Sequence, residues 1–273
     1  MPELPEAENI CRALDRALTG RTIAGVKVFS PAMRTPLTPL LHAGLPGRRF
    51  VSVRRRGRYV IAALDDNRGL VMHFGMSGVV RVESGEIPKR KHEHVHIALD
   101  NGLIFKFECT RRFSLLEACA LDCDGIPEML RSLGPEPLTG EWNSSYLLQQ
   151  TAKRKGSIKN VIMDNAVIVG IGNIYANETL FAAKVNPQRP ANTLTADECE
   201  KIVRFSKEIL KRAIAAGGST ISDFLNVDGS EGKFSRELQI YGKAGLPCPI
   251  CGTHIECVRI GGRSSFFCPK CQK

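Results

Sequence analysis

No run in this chain approaches the roughly 20 consecutive apolar residues that a helix needs to cross a bilayer, so nothing in it reads as a membrane span. Its amino terminus lacks the basic-then-apolar pattern of a secretory leader, and the expectation is a cytosolic protein. There is no internal repeat and no low-complexity tract, which removes solenoids and disordered tails from consideration. A dinucleotide-binding fingerprint is missing as well. The one glycine pair of that kind, Gly170 and Gly172, does not follow a strand-like segment.

What is present is an ordinary globular composition with a basic excess. The 273 residues are 43% hydrophobic and 24% charged, enough for one large or two medium domains. The net charge of +10 fits a solvated basic surface or, equally, a polyanion partner whose phosphates release counterions on binding.

The first half reads as strands. TIAGVKVFS, RFVSVRRRGRYVIAALD and GLVMHFGMSGVVRVE are rich in β-branched or apolar residues and are separated by turn signals. HVHIAL and GLIFKFE meet at Asp100-Asn101-Gly102 as a hairpin. Many short strands without helices between them predict a sandwich or barrel, with an opening helix packed against it. Composition changes near LGPEPL, Leu133 to Leu138, and the pattern beyond is helical. The segment from Thr195 to Gly217 carries a capping-box pair, Thr195 and Glu198. An apolar face of Ile202, Phe205, Ile209, Leu210, Ala213 and Ile214 follows, with Gly217 as a stop.

At the far end Cys248 and Cys251 form one Cys-X-X-Cys pair, and Cys268 and Cys271 form another sixteen residues later. Two such pairs at this separation predict a four-cysteine structural zinc site, since each tight turn presents two thiolates to one tetrahedral ion. Disulfides or a redox pair are the alternatives, and a cytosolic chain disfavours them. The other six cysteines read as ordinary thiols. Arg263 lies between the pairs, near the tip of the expected hairpin, where it is either a solvated turn residue or a phosphate contact.

Asn173, just after Gly170 and Gly172, is a candidate N-cap, and exposed amides at a helix start bind anions. Upstream, Lys153, Arg154, Lys155 and Lys159 form a basic cluster at the start of another short helix, usually the mark of a solvated face. The opening MPELPE has a bland reading. Pro5 and Glu6 suit the first turn of a helix continued by Ile10, Ala13, Leu14 and Leu18 and stopped by Gly20, to which Pro2 and Glu3 add little.

Taken together, PELPE after the initiator, HFGMSG, RRF, GIGNIYANE, ELQIYG and the terminal cysteine pairs make the chain resemble, along its whole length, the bacterial formamidopyrimidine-DNA glycosylases. That resemblance implies a multidomain α and β fold: an N-terminal β-sandwich with a packed helix, then a helical domain with a helix-two-turns-helix motif and a β-hairpin zinc finger. The implied divisions are a catalytic domain over 1–132, a linker over 133–138 and a helix-two-turns-helix domain over 139–226. A lesion-capping loop with its following segment over 227–242 and the zinc finger over 243–273 complete the chain.

The implied activity is excision of oxidised purines, 8-oxoguanine and formamidopyrimidines, followed by strand cleavage. Removal of Met1 would free the secondary amine of Pro2 as a nucleophile, with Glu3 as the acid for the sugar ring oxygen and Glu6 as electrostatic support. An α-amino group titrates near 8, so at neutral pH far more of it is unprotonated than of a lysine. Met76, Arg111 and Phe113 would fill the gap left by the extruded base, unless Met76 and Phe113 are simply core residues. His73, Asn173 and Arg263 would hold phosphates, with Lys155 nearby on the DNA path, and DGSEGKF, Asp228 to Phe234, would close over the base. Arg58, at the place of a family lysine that contacts phosphate near the lesion, would join Pro2, Glu3 and Glu6 in the catalytic set. One zinc ion, damaged double-stranded DNA as partner, a monomer without membrane association and a cytoplasmic, nucleoid-associated location complete the implied picture.

Two positions depart from the family. Arg58 stands where it usually has lysine, exchanging a compact ammonium for a planar fork. Cys109-Thr110 replace a common Asp-Pro before RRF, freeing the backbone there. Two rivals remain: an endonuclease VIII-like preference for oxidised pyrimidines, and a non-catalytic zinc-dependent protein that recognises damaged DNA. PELPE argues against the second, because binding alone does not need an amine and an acid at the terminus.

Overall fold

The computed structural model describes residues 2–30, 37, 39–219, 227 and 231–273. The chain forms two compact units, Met1–Arg131 with Ala216–Lys233, and Ser132–Ala215 with Phe234–Lys273.

The first unit opens with helix α1 (Leu4–Leu18), whose Ile10, Leu14 and Leu18 recur at helical spacing and are buried. Thr19 caps it, and Gly20 follows at φ +83°, a left-handed conformation that suits glycine. Eight strands follow: β1 (Ile23–Val28), β2 (Phe50–Arg56), β3 (Tyr59–Leu64), β4 (Arg68–His73), β5 (Gly78–Ser84), β6 (Glu93–Leu99), β7 (Leu103–Cys109) and β8 (Leu115–Ala120). A short helix, α2 (Pro39–Ala43), lies between β1 and β2.

The strands make two antiparallel four-stranded sheets, in the orders β1-β6-β7-β5 and β2-β3-β4-β8. One continuous core joins Ile10 and Leu14 of α1 with Val60, Leu70 and Met72 from one sheet and Val95, Ile97 and Phe107 from the other. Burying side chains from both sheets in one core is what makes the unit a sandwich. The β6–β7 hairpin turns where expected, with Gly102 at φ +81°.

Two of the connections that cross from one sheet to the other run side by side. Phe74–Ser77 leads from β4 to β5, and Thr110–Ser114 leads from β7 to β8. Cross-strand pairs frame them at both ends, His73 with Leu115 and Gly78 with Cys109.

The second unit is helical: α3 (Ser144–Thr151), α4 (Ile158–Ile162), α5 (Asn173–Ala182) and α6 (Ala196–Ala215), then the hairpin β9 (Glu256–Ile260) and β10 (Arg263–Phe267). Asn143 caps α3 by accepting from the Tyr146 amide at 2.9 Å. Buried Trp142 donates to Ser206 Oγ on α6 at 2.9 Å, tying the start of α3 to the longest helix. The expected capping box of α6 is present, with Thr195 N donating to Glu198 Oε2 at 2.9 Å and Glu198 N to Thr195 Oγ1 at 3.3 Å. Helix α5 is buried almost all round, as a helix in the middle of a core must be.

Candidate active site and DNA interface

The start of α1 is held by the carboxylate of Glu6. Its Oε2 accepts from Glu3 N at 2.8 Å and its Oε1 from Ser219 N at 2.7 Å. Glu3 is the N-cap and shares a reciprocal capping box with Glu6, so it contributes to the first turn, contrary to the sequence expectation. The reason is that a glutamate can play the part of a short capping residue when its partner at N3 reaches back. Pro2, Glu3 and Glu6 are all buried. Gly218, at φ +84°, brings backbone against this carboxylate, and a Cβ there would lie 3.0 Å from Glu6 Cγ. Sequence reading treats Gly217 only as a helix stop and misses Gly218 and Ser219.

Arg58 sits in the two-residue turn between β2 and β3, after Gly57 at φ +59°, and is buried. An ion pair from α1 steadies this turn: Arg55 Nε donates to Glu8 Oε2 at 2.8 Å while Arg55 Nη1 donates to the Gly57 carbonyl at 3.0 Å. Burial opposes ionisation of Glu8, and hydrogen bonds from Arg55 and from Arg12, whose Nε donates to Oε1 at 2.8 Å, lower its pKa despite that burial. His73 pairs across the ladder with Tyr59, the residue after Arg58, and their rings lie 4.8 Å apart. The first unit therefore brings Arg58 and His73 to neighbouring positions.

Met76, Arg111 and Phe113 stand on the two inter-sheet crossings and are all exposed, Met76 at 49% and Phe113 at 55%. They are not core residues. Arg111 Nη1 lies 3.7 Å from Met76 Sδ, so these two side chains meet across the crossings, and Phe113 stands exposed on the same crossing as Arg111.

In the second unit, Asn173 is the first helical residue of α5 rather than its cap, which is Gly172. Its side chain is engaged elsewhere. Oδ1 accepts from Lys159 Nζ at 2.6 Å, and Nδ2 donates to the Ser264 carbonyl at 3.1 Å. Lys159 also donates to the Ser264 carbonyl at 2.9 Å and Ser265 Oγ at 2.6 Å, and it is fully buried. The expectation that the basic cluster is a solvated face fails at this residue, because three oxygens replace the water around its charge. Nor does the whole cluster begin a helix, since Lys153, Arg154 and Lys155 precede α4. Lys155 is exposed, and Arg154 pairs with Asp164 at 3.2 Å.

Arg263 is exposed at the first position of β10, beside Ser264, so Asn173 and Arg263 come together. The turn before it, Gly261-Gly262, lies against α4, where a Cβ on Gly261 would fall 2.5 Å from Asn160 Oδ1. Helix α5 fixes the rest of this region through two side chains that sequence reading did not single out. Asn177 Oδ1 accepts from Phe266 N at 2.7 Å. The Glu178 carboxylate accepts from the amides of Gln239, Ile240 and Tyr241 at 2.9, 3.0 and 2.9 Å. The Glu178 contacts therefore join GIGNIYANE to ELQIYG in space.

The four cysteines converge as expected. Their sulfurs lie within 4.8 Å of one another, with Cys248 and Cys271 3.9 Å apart and Cys251 and Cys268 3.5 Å apart. A tetrahedral ion with Zn–S bonds of about 2.3 Å requires sulfur separations of about 3.8 Å. The cysteines are not joined in disulfides. The site holds one structural zinc, and four thiolate ligands leave no position for a reacting water. Phe181, Ile240 and Ile255 pack around it. The loop from Asp228 begins outside the described residues, with Asp228, Gly229 and Ser230 not described and Phe234 buried.

Residues 1–116 match the profile described as the formamidopyrimidine-DNA glycosylase N-terminal domain, and residues 133–225 match its H2TH domain. Residues 245–273 match a zinc finger found in FPG and IleRS. A curated formamidopyrimidine-DNA glycosylase of Laribacter hongkongensis is 44% identical, and one of Salmonella choleraesuis 41%, each over 100% of both chains. A mutant Lactococcus lactis FPG in complex with Fapy-dG-containing DNA superposes with a TM-score of 0.92 at 31% identity over 100% of both chains. MutM (FPG) of Thermus thermophilus does so at 0.88 and 34%, over 99% of this chain and 98% of that one. An identity this high, sustained from end to end, has one consequence: the chain belongs to the formamidopyrimidine-DNA glycosylase family.

Proposed function

We infer that this chain is a base-excision-repair enzyme, a DNA glycosylase and AP lyase for oxidised purines, that works through the amine of Pro2. One observation carries the reading: Pro2 and Glu3 are buried at the start of α1, fixed there by a Glu6 carboxylate that accepts from both Glu3 N and Ser219 N. A capping box accounts for the two glutamates, but it needs neither an imino acid before it nor a second amide, that of Ser219, on the Glu6 carboxylate.

Removal of Met1 turns Pro2 N into a secondary amine. Its lone pair attacks C1′ of the damaged nucleotide, and the bond from C1′ to the base breaks, the base leaving with a proton. Glu3 protonates the sugar ring oxygen. Opening of the C1′–O bond then gives an iminium between Pro2 and the sugar, a cation that the Glu6 carboxylate stabilises. The iminium makes the adjacent C2′ proton acidic. Its loss expels the 3′ phosphate, and a second elimination expels the 5′ phosphate. Retained Met1 would bury Pro2 N in an amide and abolish every step.

Arg58 and His73, neighbours in the first unit, contact phosphate beside the lesion, and Asn173, Arg263 and exposed Lys155 do so in the second. Met76, Arg111 and Phe113 enter the duplex: a flexible apolar wedge, a cation for the orphaned partner base and an aromatic stacker. The zinc stiffens the hairpin that presents Arg263. The net charge of +10 supplies the electrostatic attraction to DNA. Among the described residues no helix is long and apolar enough to cross a membrane. A complete set of these groups in one chain supports action as a monomer on the DNA of the cytoplasm.

Borohydride trapping on a duplex with 8-oxoguanine opposite cytosine, followed by peptide mass mapping, tests the reading. A covalent adduct on Pro2 is expected. A processed, zinc-loaded protein that traps on neither this duplex nor an abasic site would overturn it. Strong preference for a thymine-glycol duplex would replace the purine assignment with the pyrimidine one.

A further inference from the structure

Met76, Arg111 and Phe113 are exposed, yet the backbone beneath them is locked in a way that a role as a wedge does not by itself require. The two inter-sheet crossings exchange hydrogen bonds through a pair of serines. Ser77, next to Met76, accepts from the Arg111 amide at 3.1 Å. Ser114, next to Phe113, donates to the Phe74 carbonyl at 2.7 Å. Each serine thus follows one wedge residue and grips the opposite crossing.

Three further features tighten the same contact. Cys109 Sγ lies 3.0 Å from Ser114 Oγ and 4.0 Å from Ser77 Oγ, so its thiol sits between the two hydroxyls, and Cys109 and Ser114 are fully buried. The Phe74 carbonyl also accepts from Gly78 N at 2.7 Å. Gly75 and Gly78 allow the crossings to approach, since a Cβ would fall 2.8 Å from Phe113 O at the first and 2.5 Å from Ser114 Oγ at the second. A positive φ at Gly75, +54°, and at Arg112, +57°, completes two sharply folded loops.

We propose that Ser77 and Ser114, with Cys109 between them, are positioning residues that make the three wedge side chains one rigid probe, and that this rigidity governs extrusion of a paired lesion. The proposal rests on the glycosylase reading above. A loose loop can occupy a gap that already exists. Forcing a stacked, paired base out requires the wedge to be held in place while the stack resists, so ordering the loop beforehand lowers the barrier to extrusion. A hydroxyl buried between two crossings achieves this without reaching the DNA itself.

The test is single-turnover excision of 8-oxoguanine from two duplexes, one with the lesion paired to cytosine and one with it inside a three-base unpaired bubble. Ser77→Ala and Ser114→Ala should each slow excision about tenfold on the paired duplex, the loss expected of one or two hydrogen bonds, and no more than about twofold on the bubble. Ser77→Thr, which keeps the hydroxyl, should restore the paired rate. Because Ser114 is fully buried and its variant could lose stability, half-buried Ser77 gives the independent measurement. Equal losses on both duplexes, or no loss on the paired one, would overturn the proposal while leaving the glycosylase reading intact. A processed wild type that cleaves neither duplex would overturn both.

Discussion

Lys159 Nζ lies 2.6 Å from Asn173 Oδ1, inside a shell completed by Ser265 Oγ at 2.6 Å and the Ser264 carbonyl at 2.9 Å. The buried ammonium joins the start of α5 to the strand that presents Arg263, so it sets the spacing of Asn173 and Arg263, the two DNA contacts proposed for this unit, without being exposed itself. Lys159→Met keeps much of the volume but leaves these oxygens without their charged donor. The expected cost is about 3 kcal/mol of stability. DNA affinity should fall as well, with the salt dependence of binding reduced as Arg263 loses its position. Thermal denaturation and binding isotherms at several salt concentrations would check both, and unchanged values would show the contact to be incidental.

Much of this second unit was readable as pieces but not as contacts. The capping box at Thr195, the cysteine spacing and the apolar face of α6 are local patterns, and the structure agrees with them because neighbours in sequence decide them. Lys159 was misread because three basic residues just before it imply a solvated run, and nothing local marks one lysine as buried. Its partners lie 14, 105 and 106 residues away. Asn173 was expected to cap α5 because its residue type is right, and the tertiary demand of Lys159 and Ser264 left Gly172 in that place. In the first unit the PELPE motif pointed to the terminus, but Ser219, 213 residues from Glu6, had no sequence signal beyond a glycine pair.

Chelation of the zinc should act on the hairpin and leave the sandwich standing. Cys248, Cys251, Cys268 and Cys271 share a small cluster with Phe181, Ile240 and Ile255, too little apolar surface to order β9 and β10 unaided. The metal-free protein, or Cys248→Ser, should retain most of its circular dichroism but bind DNA at least about tenfold more weakly, because the support under Arg263 is gone. Restoring zinc to the chelated wild type should restore binding.

The clamp on the amino terminus can be probed from both sides. Glu6→Gln retains shape but has one acceptor oxygen where two amides now donate, Glu3 N at 2.8 Å and Ser219 N at 2.7 Å. A loss of about 2 kcal/mol is expected, with slower borohydride trapping because the neutral amide no longer favours the iminium. Gly218→Ala approaches from the other direction. At φ +84° a side chain costs about 1–2 kcal/mol, and its Cβ would press on Glu6 Cγ at 3.0 Å. If Gly218→Ala slows trapping while Glu6→Gln does not, the carboxylate's charge has no part in the reaction and only its position counts.

A last prediction concerns acid stability and lies away from the reaction. Glu83 on β5 is gripped by Arg90, with Nη1 to Oε1 at 2.6 Å and Nη2 to Oε2 at 3.2 Å, and by buried Lys106 at 3.0 Å. The hydrogen bond from Arg90 is the main reason its carboxyl is pulled down to about 2, with burial acting in opposition and Lys106 adding to the pull. Glu93 beside it is also held low: burial opposes its ionisation, and bonds from His96 and Arg90 outweigh that burial. A depressed folded-state value means that the unfolded chain takes up protons first as pH falls. The stabilisation is therefore complete above the ordinary carboxylate range near 4.5 and is lost as pH drops from there towards 2. Glu83→Gln, which strands the Lys106 charge, should cost about 2 kcal/mol at pH 7. Its melting temperature should approach that of the wild type as pH falls through this window. A gap that stays constant between pH 7 and pH 3 would show that the ion pair contributes through packing alone.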